Sequence, residues 1–351
     1  MAKSLDLWVH DSAFKRFEVI DEYESFIWAE RFFAHGDFTL VTQPSLKNKK
    51  LLVFGNYIGH PETDYIMKIE NVLQETKDGI TLMTVTGRTL TNILEDRQVN
   101  PNWVGVGVVG TVLANLVQII CVDGPGISSY DVIPGFVVQN TSWSAGYIQT
   151  KPEQTESLYA VVQKICAADG TGFRVKLDYH PYGSRLIFEI YNGSQTPKLT
   201  FSVDNDNLVN PSFLTSNKNY KNIAYVWHEQ GTKIVARPGT SLSVSGLARR
   251  VIGVDATDVK PADHVPDQYN AILTQRAMEA FVSERGDQIR LYDGEVPEGV
   301  NATYRKDYNL GDLALYQGTT SDQQRTVRIT EHITSCDNQG MKSYPTFSVV
   351  D

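Results

Sequence analysis

The chain has 351 residues, a formal net charge of −9 and 41% apolar residues. The length exceeds what one core usually serves, so two or three domains are expected, and the apolar content excludes disorder. The acidic balance, with Lys and Arg dispersed, excludes a tight grip on a phosphate backbone, which needs a basic surface.

No apolar run reaches the roughly 18–20 residues of a spanning helix. The longest, VVGTVLANLVQIICV at 108–122, is too short, so no membrane insertion is expected. The opening MAKSLDLWVHD lacks a signal-peptide core, which points to synthesis in a cytoplasm. Cys121, Cys166 and Cys336 are odd in number and widely spaced, which fits buried free thiols better than disulfides or a metal site.

In chain order, residues 1–98 are dense in strand signals: LDLWVHD, FKRFEVI, SFIWAERFF, GDFTLVT, KLLVFG, YIMKIENVLQET and ITLMTVTGR. Asp78-Gly79 between two of them marks a hairpin. Such density without long helices means an antiparallel barrel or sandwich. Residues 99–215 change character. Val112, Leu113, Leu116, Val117 and Ile120 form one helical stripe. Leu158, Val161, Val162, Ile165 and Cys166 form another, with Thr155 as N-cap and Gly170 as stop. FRVKLDY and RLIFEIY follow as strands, so this middle segment is a small α+β domain. Residues 216–351 return to strands, interrupted by a helix whose inner face carries Tyr269, Leu273, Ala277, Ala280 and Phe281.

TVRITEHITS at 326–335 aligns without a gap on IMKIENVLQE at 66–75. Met67, Ile69, Asn71 and Leu73 fall on Val327, Ile329, Glu331 and Ile333, in one shared order of apolar and polar positions. LLVFG and LALYQG precede the two strands, and a final strand follows each, beginning at Gly79 and Gly340. Pro345 marks the last strand as an edge or a bulged one. The pattern predicts a duplicated β-domain, with His332 on the solvated face.

The chemical motifs are weak. GVGVVG at 105–110 fits G-x-G-x-x-G, but no strand signal precedes it and no βαβ unit follows, so a glycine-rich lead-in to a helix is expected. Asp204 and Asp206 lack the remaining ligands of a calcium loop and read as a surface turn. The histidines His10, His35, His60, His180, His228, His264 and His332 show no zinc spacing, and no nucleophile motif is present. Trp8, Trp28 and Trp227 sit in strand patterns and are expected in cores; Trp103 and Trp143 are loop-like candidates for interface anchors. No catalytic, cofactor-binding or metal residue is assigned, and no cofactor is expected.

Taken together, VIDEYESFIWAERFFAHGDFTLVT, TLMTVTGRTLTNILEDR, GFRVKLDY, RLIFEIYNG, YKNIAYVWHEQ, DYNLGDLALYQ and RITEHITSCDNQGMKSYPTFS resemble, in order, the tail-hub (baseplate hub, tail-associated) proteins of long non-contractile-tailed bacteriophages. The resemblance implies a mainly β fold with α+β parts: two β-barrel tube domains, 1–98 and 216–351, flanking a smaller α/β domain at 99–215. It implies a structural, non-enzymatic homotrimer at the virion tail tip whose six barrels meet a hexameric tube. Its partners would be the distal tail or tail tube protein, the tape measure protein and tip or receptor-binding proteins, with genomic DNA passing through without specific binding. Larger relatives carry C-terminal peptidase or lysozyme modules, whereas this sequence stops at SVVD, so cell-wall degradation is not expected. A tail-associated peptidoglycan hydrolase and a carbohydrate-binding baseplate module are the alternatives.

Overall fold

The computed structural model describes residues 5–124, 128–139, 146–150, 156–179, 183–283, 286–287, 289–297, 300, 302–318, 324–338 and 340–350. The first stretch contains β1 (Leu7–His10), β2 (Arg16–Ile20), β3 (Ser25–Arg31), β4 (Asp37–Thr42), α1 (Leu46–Leu51), β5 (Tyr57–Gly59), β6 (Met67–Lys77) and β7 (Ile80–Thr89). Then come β8 (Gly105–Val108), α2 (Val109–Gln118), β9 (Phe136–Gln139), β10 (Tyr147–Thr150), α3 (Leu158–Asp169), β11 (Gly172–Asp178) and β12 (Arg185–Tyr191). The remainder holds β13 (Thr200–Ser202), β14 (Val209–Ser216), β15 (Ile223–His228), β16 (Gly231–Ala236), β17 (Val251–Asp255), α4 (Pro266–Phe281), β18 (Ile289–Glu295), β19 (Leu313–Gln317), β20 (Arg325–Asp337) and β21 (Gly340–Val349).

One thirteen-stranded sheet dominates the mainly β architecture. Its path runs β14-β18-β21-β20-β3-β4-β7-β6-β5-β1-β2, with β19 beside β20 and β13 beside β19. The path is open, and neither half closes on itself among the described residues. Three smaller sheets pair β8 with β10, β11 and β9 with β12, and β16 and β17 with β15. The helices α2 and α3 share one core with β11 and β12, while α4 shares another with β15 to β17.

The large sheet contains the repeat. Its order β5-β6-β7-β4-β3 recurs as β19-β20-β21-β18-β14. The registers also agree. Met67 pairs with Thr89, Asn71 with Thr86 and Lys77 with Ile80; Val327 pairs with Val349, Glu331 with Thr346 and Asp337 with Gly340. Each pairing lies the same distance along the chain from its counterpart. Both long strands bulge at the same aligned position, between Ile69 and Asn71 and between Ile329 and Glu331. Gly55 and Gly311 enter their copies with positive φ of 90° and 86°, and each is followed one residue later by a carbonyl, of Asn56 or Asp312, that accepts from Ile69 N or Ile329 N.

The bulge corrects the expected facing. An extra residue in a strand turns every later side chain to the other face. Val327 and Ile329 are buried before the bulge, but His332, Thr334 and Cys336 are buried after it. His332 is therefore 2% exposed rather than solvated. Likewise Leu73 does not share a face with Ile69.

Other local expectations divide in the same informative way. Asp78 and Gly79 adopt φ of 52° and 79°, the left-handed pair that a two-residue hairpin loop requires. Gly340 is the partner of Asp337 and corresponds to Ile80, not Gly79. KLLVFG is not a strand: Ser45 caps α1 by accepting from Asn48 N, and Leu51 and Leu52 are buried in the core of the first copy. The true counterpart of LALYQ is β5. Pro345 is tolerated in a strand paired on both sides because it faces His332 next to the bulge, and because the β18 ladder breaks between Ser343 and Thr346. Ser157, accepting from Ala160 N, caps α3, and Gly170 ends it at φ 76°. Thr155 lies outside the described residues. β14, read with the middle segment in the sequence, is hydrogen-bonded to β18 in the large sheet.

Candidate functional site

Two copies of one strand set share a single joint. Along it β3 pairs antiparallel with the second half of β20, from Arg31 opposite Glu331 to Ser25 opposite Asp337. Arg31 Nε donates to Glu331 Oε1 at 2.6 Å, and the same guanidinium bonds Asp37. Cys336 reaches across the joint into the first copy's core, beside Phe26, Trp28 and Phe38.

Below this joint lies a buried polar cluster built from residues far apart in sequence. Glu30, 2% exposed, accepts from Trp28 Nε1 at 2.9 Å, Thr63 Oγ1 at 2.8 Å, Tyr304 OH at 2.7 Å and Arg305 Nη2 at 2.8 Å. Burial pushes its pKa up, but the Arg305 charge and these donors outweigh burial and hold the carboxyl at about 2. Arg305 also donates to Asp64 Oδ1 at 2.8 Å. The His332 ring stacks on Tyr304 at 3.8 Å, and its Nδ1 meets Tyr308 OH at 3.1 Å. Burial lowers the His332 pKa to about 3 and that of His60 to about 4, so both imidazoles are neutral. Arg174 of β11 ties in the middle segment: it pairs with Glu189 at 2.5 Å and lies over Tyr65 and Tyr191. Every charge here has a partner inside the cluster, as expected of a structural clamp.

At the far ends of the repeat, two strand edges carry no such cover among the described residues. The second half of β6, from Asn71 to Lys77, is exposed throughout, and β14 is exposed from Val209 to Thr215. Leu73 is 52% exposed, Phe213 61% and Leu214 54%. Phe213 stacks on Tyr292 with ring centroids 4.9 Å apart, as Trp28 stacks on Phe38 in the first copy. Trp28 is buried because β20 covers β3; Phe213 has no equivalent cover among the described residues.

A model of the Siphovirus ReqiPepy6 Gp37-like protein family matches residues 6–347. The chain belongs to that family. The tail-hub resemblance read from the sequence agrees with this siphovirus assignment. No curated protein matches. Solved structures share the fold over nearly the whole chain. A tail protein from Neisseria meningitidis MC58 is 14% identical, with a TM-score of 0.61 over 98% of this chain and 96% of that one. The 43 kDa tail protein of prophage MuSo2 from Shewanella oneidensis is 13% identical, with a TM-score of 0.62 over 99% and 98%. Prophage tail protein gp18 from Listeria monocytogenes EGD-e is 10% identical, with a TM-score of 0.55 over 99% and 95%.

The weak motifs dissolve into structure. The glycines of GVGVVG do not form a loop: Gly105 and Gly107 lie in β8, paired with β10, and Gly110 is already in α2. A Cβ at Gly105 would meet the Trp103 ring at 2.4 Å, so this glycine seats Trp103 against the middle core. Asp204 and Asp206 form a short turn capped by Ser202, with Asp206 left-handed. Among the described residues no three His, Cys, Asp or Glu side chains gather as a metal site. Cys121, Cys166 and Cys336 are buried and form no disulfide. Trp28 is core, but Trp227 is not: it is 48% exposed and lies across Gly253 on the open face of its sheet. Trp143 and His180 fall outside the described residues. The sequence reading missed Glu30 and Arg305, since nothing local marks two charges 275 residues apart as partners.

Proposed function

We propose that this protein is a structural virion protein: a homotrimeric hub at the tip of a long non-contractile phage tail. It adapts the hexameric tail tube to threefold tip proteins and continues the DNA channel. The carrying observation is the internal repeat, with the same strand order, register and bulge in both copies. Three such chains set six like units in a ring, which turns threefold into near-sixfold symmetry. Closed rings need heterologous contacts that close on rotation, and a repeat joined in one sense supplies half of them within each chain. In the ring, the segments 1–98 and 216–351, the second completed by β14, would each form a barrel-like tube domain around the rest of the 99–215 domain. The net charge of −9 suits a lumen through which DNA slides without adhering. The distal tail or tube protein, the tape measure protein and tip or receptor-binding proteins are the expected partners. Synthesis in the host cytoplasm precedes assembly into the tail.

An enzymatic reading finds no support in the clamp, whose carboxylates are held by arginines rather than poised as acids. Multi-angle light scattering tests the hub. The expected mass is that of three 39.3 kDa chains, with retention of distal-tail or tube protein on a column bearing the trimer. A monomer at high concentration that retains neither protein overturns the reading.

A further inference from the structure

We infer that the ring closes by β-strand addition in one defined register, with the β6 edge of one chain pairing with the β14 edge of the next. This deepens the trimeric-hub reading and rests on it.

The template is the joint already present inside the chain. There β3 of the first copy pairs with β20 of the second. In the repeat, β14 corresponds to β3 and β6 to β20. The same joint repeated between the second copy of one chain and the first copy of the next brings β14 onto β6. In the chain itself β6 pairs with β5 and β7, and β14 with β18, so the two edges are not joined to each other.

The register follows residue by residue. Phe38 pairs with Gly87 and Trp28, while Tyr292 pairs with Phe347 and Phe213, so Phe213 takes the place of Trp28. Leu214 then stands for Ala29, Thr215 for Glu30 and Ser216 for Arg31. On the other strand Asn71, Val72, Leu73 and Gln74 stand for Glu331, His332, Ile333 and Thr334. Since Ile333 faces Ala29 and Thr334 faces Trp28, Leu73 faces Leu214 and Gln74 faces Phe213 in the next chain.

The exposed apolar residues agree with this register. Leu73 and Leu214 are each about half exposed in the chain and become direct cross-strand neighbours. Phe213, the uncovered end of an aromatic row through Tyr292 and Tyr316, gains the cover that Trp28 already has. The polar clamp is replaced by neutral partners: Thr215 and Val72 stand where Glu30 and His332 meet, and Ser216 and Asn71 where Arg31 and Glu331 meet. Pro211 and the bulge between Val209 and Ser212 interrupt the ladder to β18, so the edge accepts a short strand and resists open-ended pairing.

Chains with Cys121, Cys166 and Cys336 replaced by Ser or Ala and one cysteine added test it. Chains carrying Leu73→Cys are mixed by denaturation and refolding with chains carrying Leu214→Cys, then oxidised mildly and scored as covalent dimer beside light scattering. Directly opposed positions have Cβ atoms about 5 Å apart and diagonal ones about 7–8 Å, so Leu73→Cys should cross-link with Leu214→Cys several-fold more than with Ser212→Cys or Ser216→Cys. Phe213→Lys, at an exposed site, should leave the thermal midpoint of the single chain unchanged and weaken trimers on the order of tenfold or more. A trimer that cross-links no better at Leu214 than at the shifted positions, or survives Phe213→Lys undiminished, overturns this interface and leaves the hub reading standing. A strict monomer overturns both.

Discussion

Ile329→Asp and Ile69→Asp are each expected to abolish folding of their half of the large sheet. Ile329 is fully buried with Val327 and Phe347; Ile69 is buried with Met67, Met83 and Val85. Each change removes a packed side chain and places a carboxylate among buried apolar side chains. The combined cost is on the order of 5 kcal/mol or more, against a typical total stability of about 5–15 kcal/mol. Solubility after expression and the urea midpoint measure it. The control is Leu73→Asp, beyond the bulge and exposed, where the single chain should lose little. If Ile69→Asp and Leu73→Asp behaved alike, the facing set by the bulge would be wrong.

That contrast shows what could be read from the sequence. The repeat was legible because the two long strands match without a gap, so the apolar order of 66–75 survived in 326–335. The hairpin at Asp78-Gly79 and the stripes of α2, α3 and α4 were legible because turn chemistry and helical period are local signals. The bulge was not. It adds no unusual residue, only Glu70 and Thr330, yet it reverses the faces beyond and hides His332. α1 was misread because the apolar run that begins at Leu51 and Leu52 suits a strand until the Ser45 cap is seen. β14 was misassigned because its partner β18 follows only after an inserted sheet and helix. Exposed edges and the clamp depend on pairing across the whole chain, and period alone carries no record of that.

Arg305→Met is the sharpest test of the clamp, with an expected loss of about 3–5 kcal/mol, the usual effect of removing one partner of a buried ion pair. Glu30 would keep its donors Trp28, Thr63 and Tyr304 but lose its countercharge, and Asp64 would lose a partner at 2.8 Å. The left-handed backbone of Arg305, at φ 66°, is held by its N–H on Tyr308 O, a bond that methionine keeps. The pH dependence identifies the cause. The Glu30 pKa is depressed in the folded state, from an ordinary 4.5 to about 2, so its ionisation stabilises the fold by on the order of 3 kcal/mol above pH 4.5. That contribution disappears as pH falls through 4.5 toward 2. His60 and His332 act in the same direction: they stay neutral in the fold but take protons in the unfolded chain below pH 6.5, so stability declines as pH falls toward 4. The wild-type chain should therefore lose stability steadily on acidification. The gap between wild type and Arg305→Met should be widest at neutral pH and narrow as pH falls through 4.5 toward 2, where the variant's Glu30 takes a proton and the wild type loses its charge-dependent gain. Adding Glu30→Gln to Arg305→Met should recover part of the loss at neutral pH, because the buried charge goes with its partner. Denaturant midpoints at pH 3 and pH 8 decide the matter; an equal gap at both would mean that Arg305 acts through packing against Tyr65 and Tyr304, not through charge.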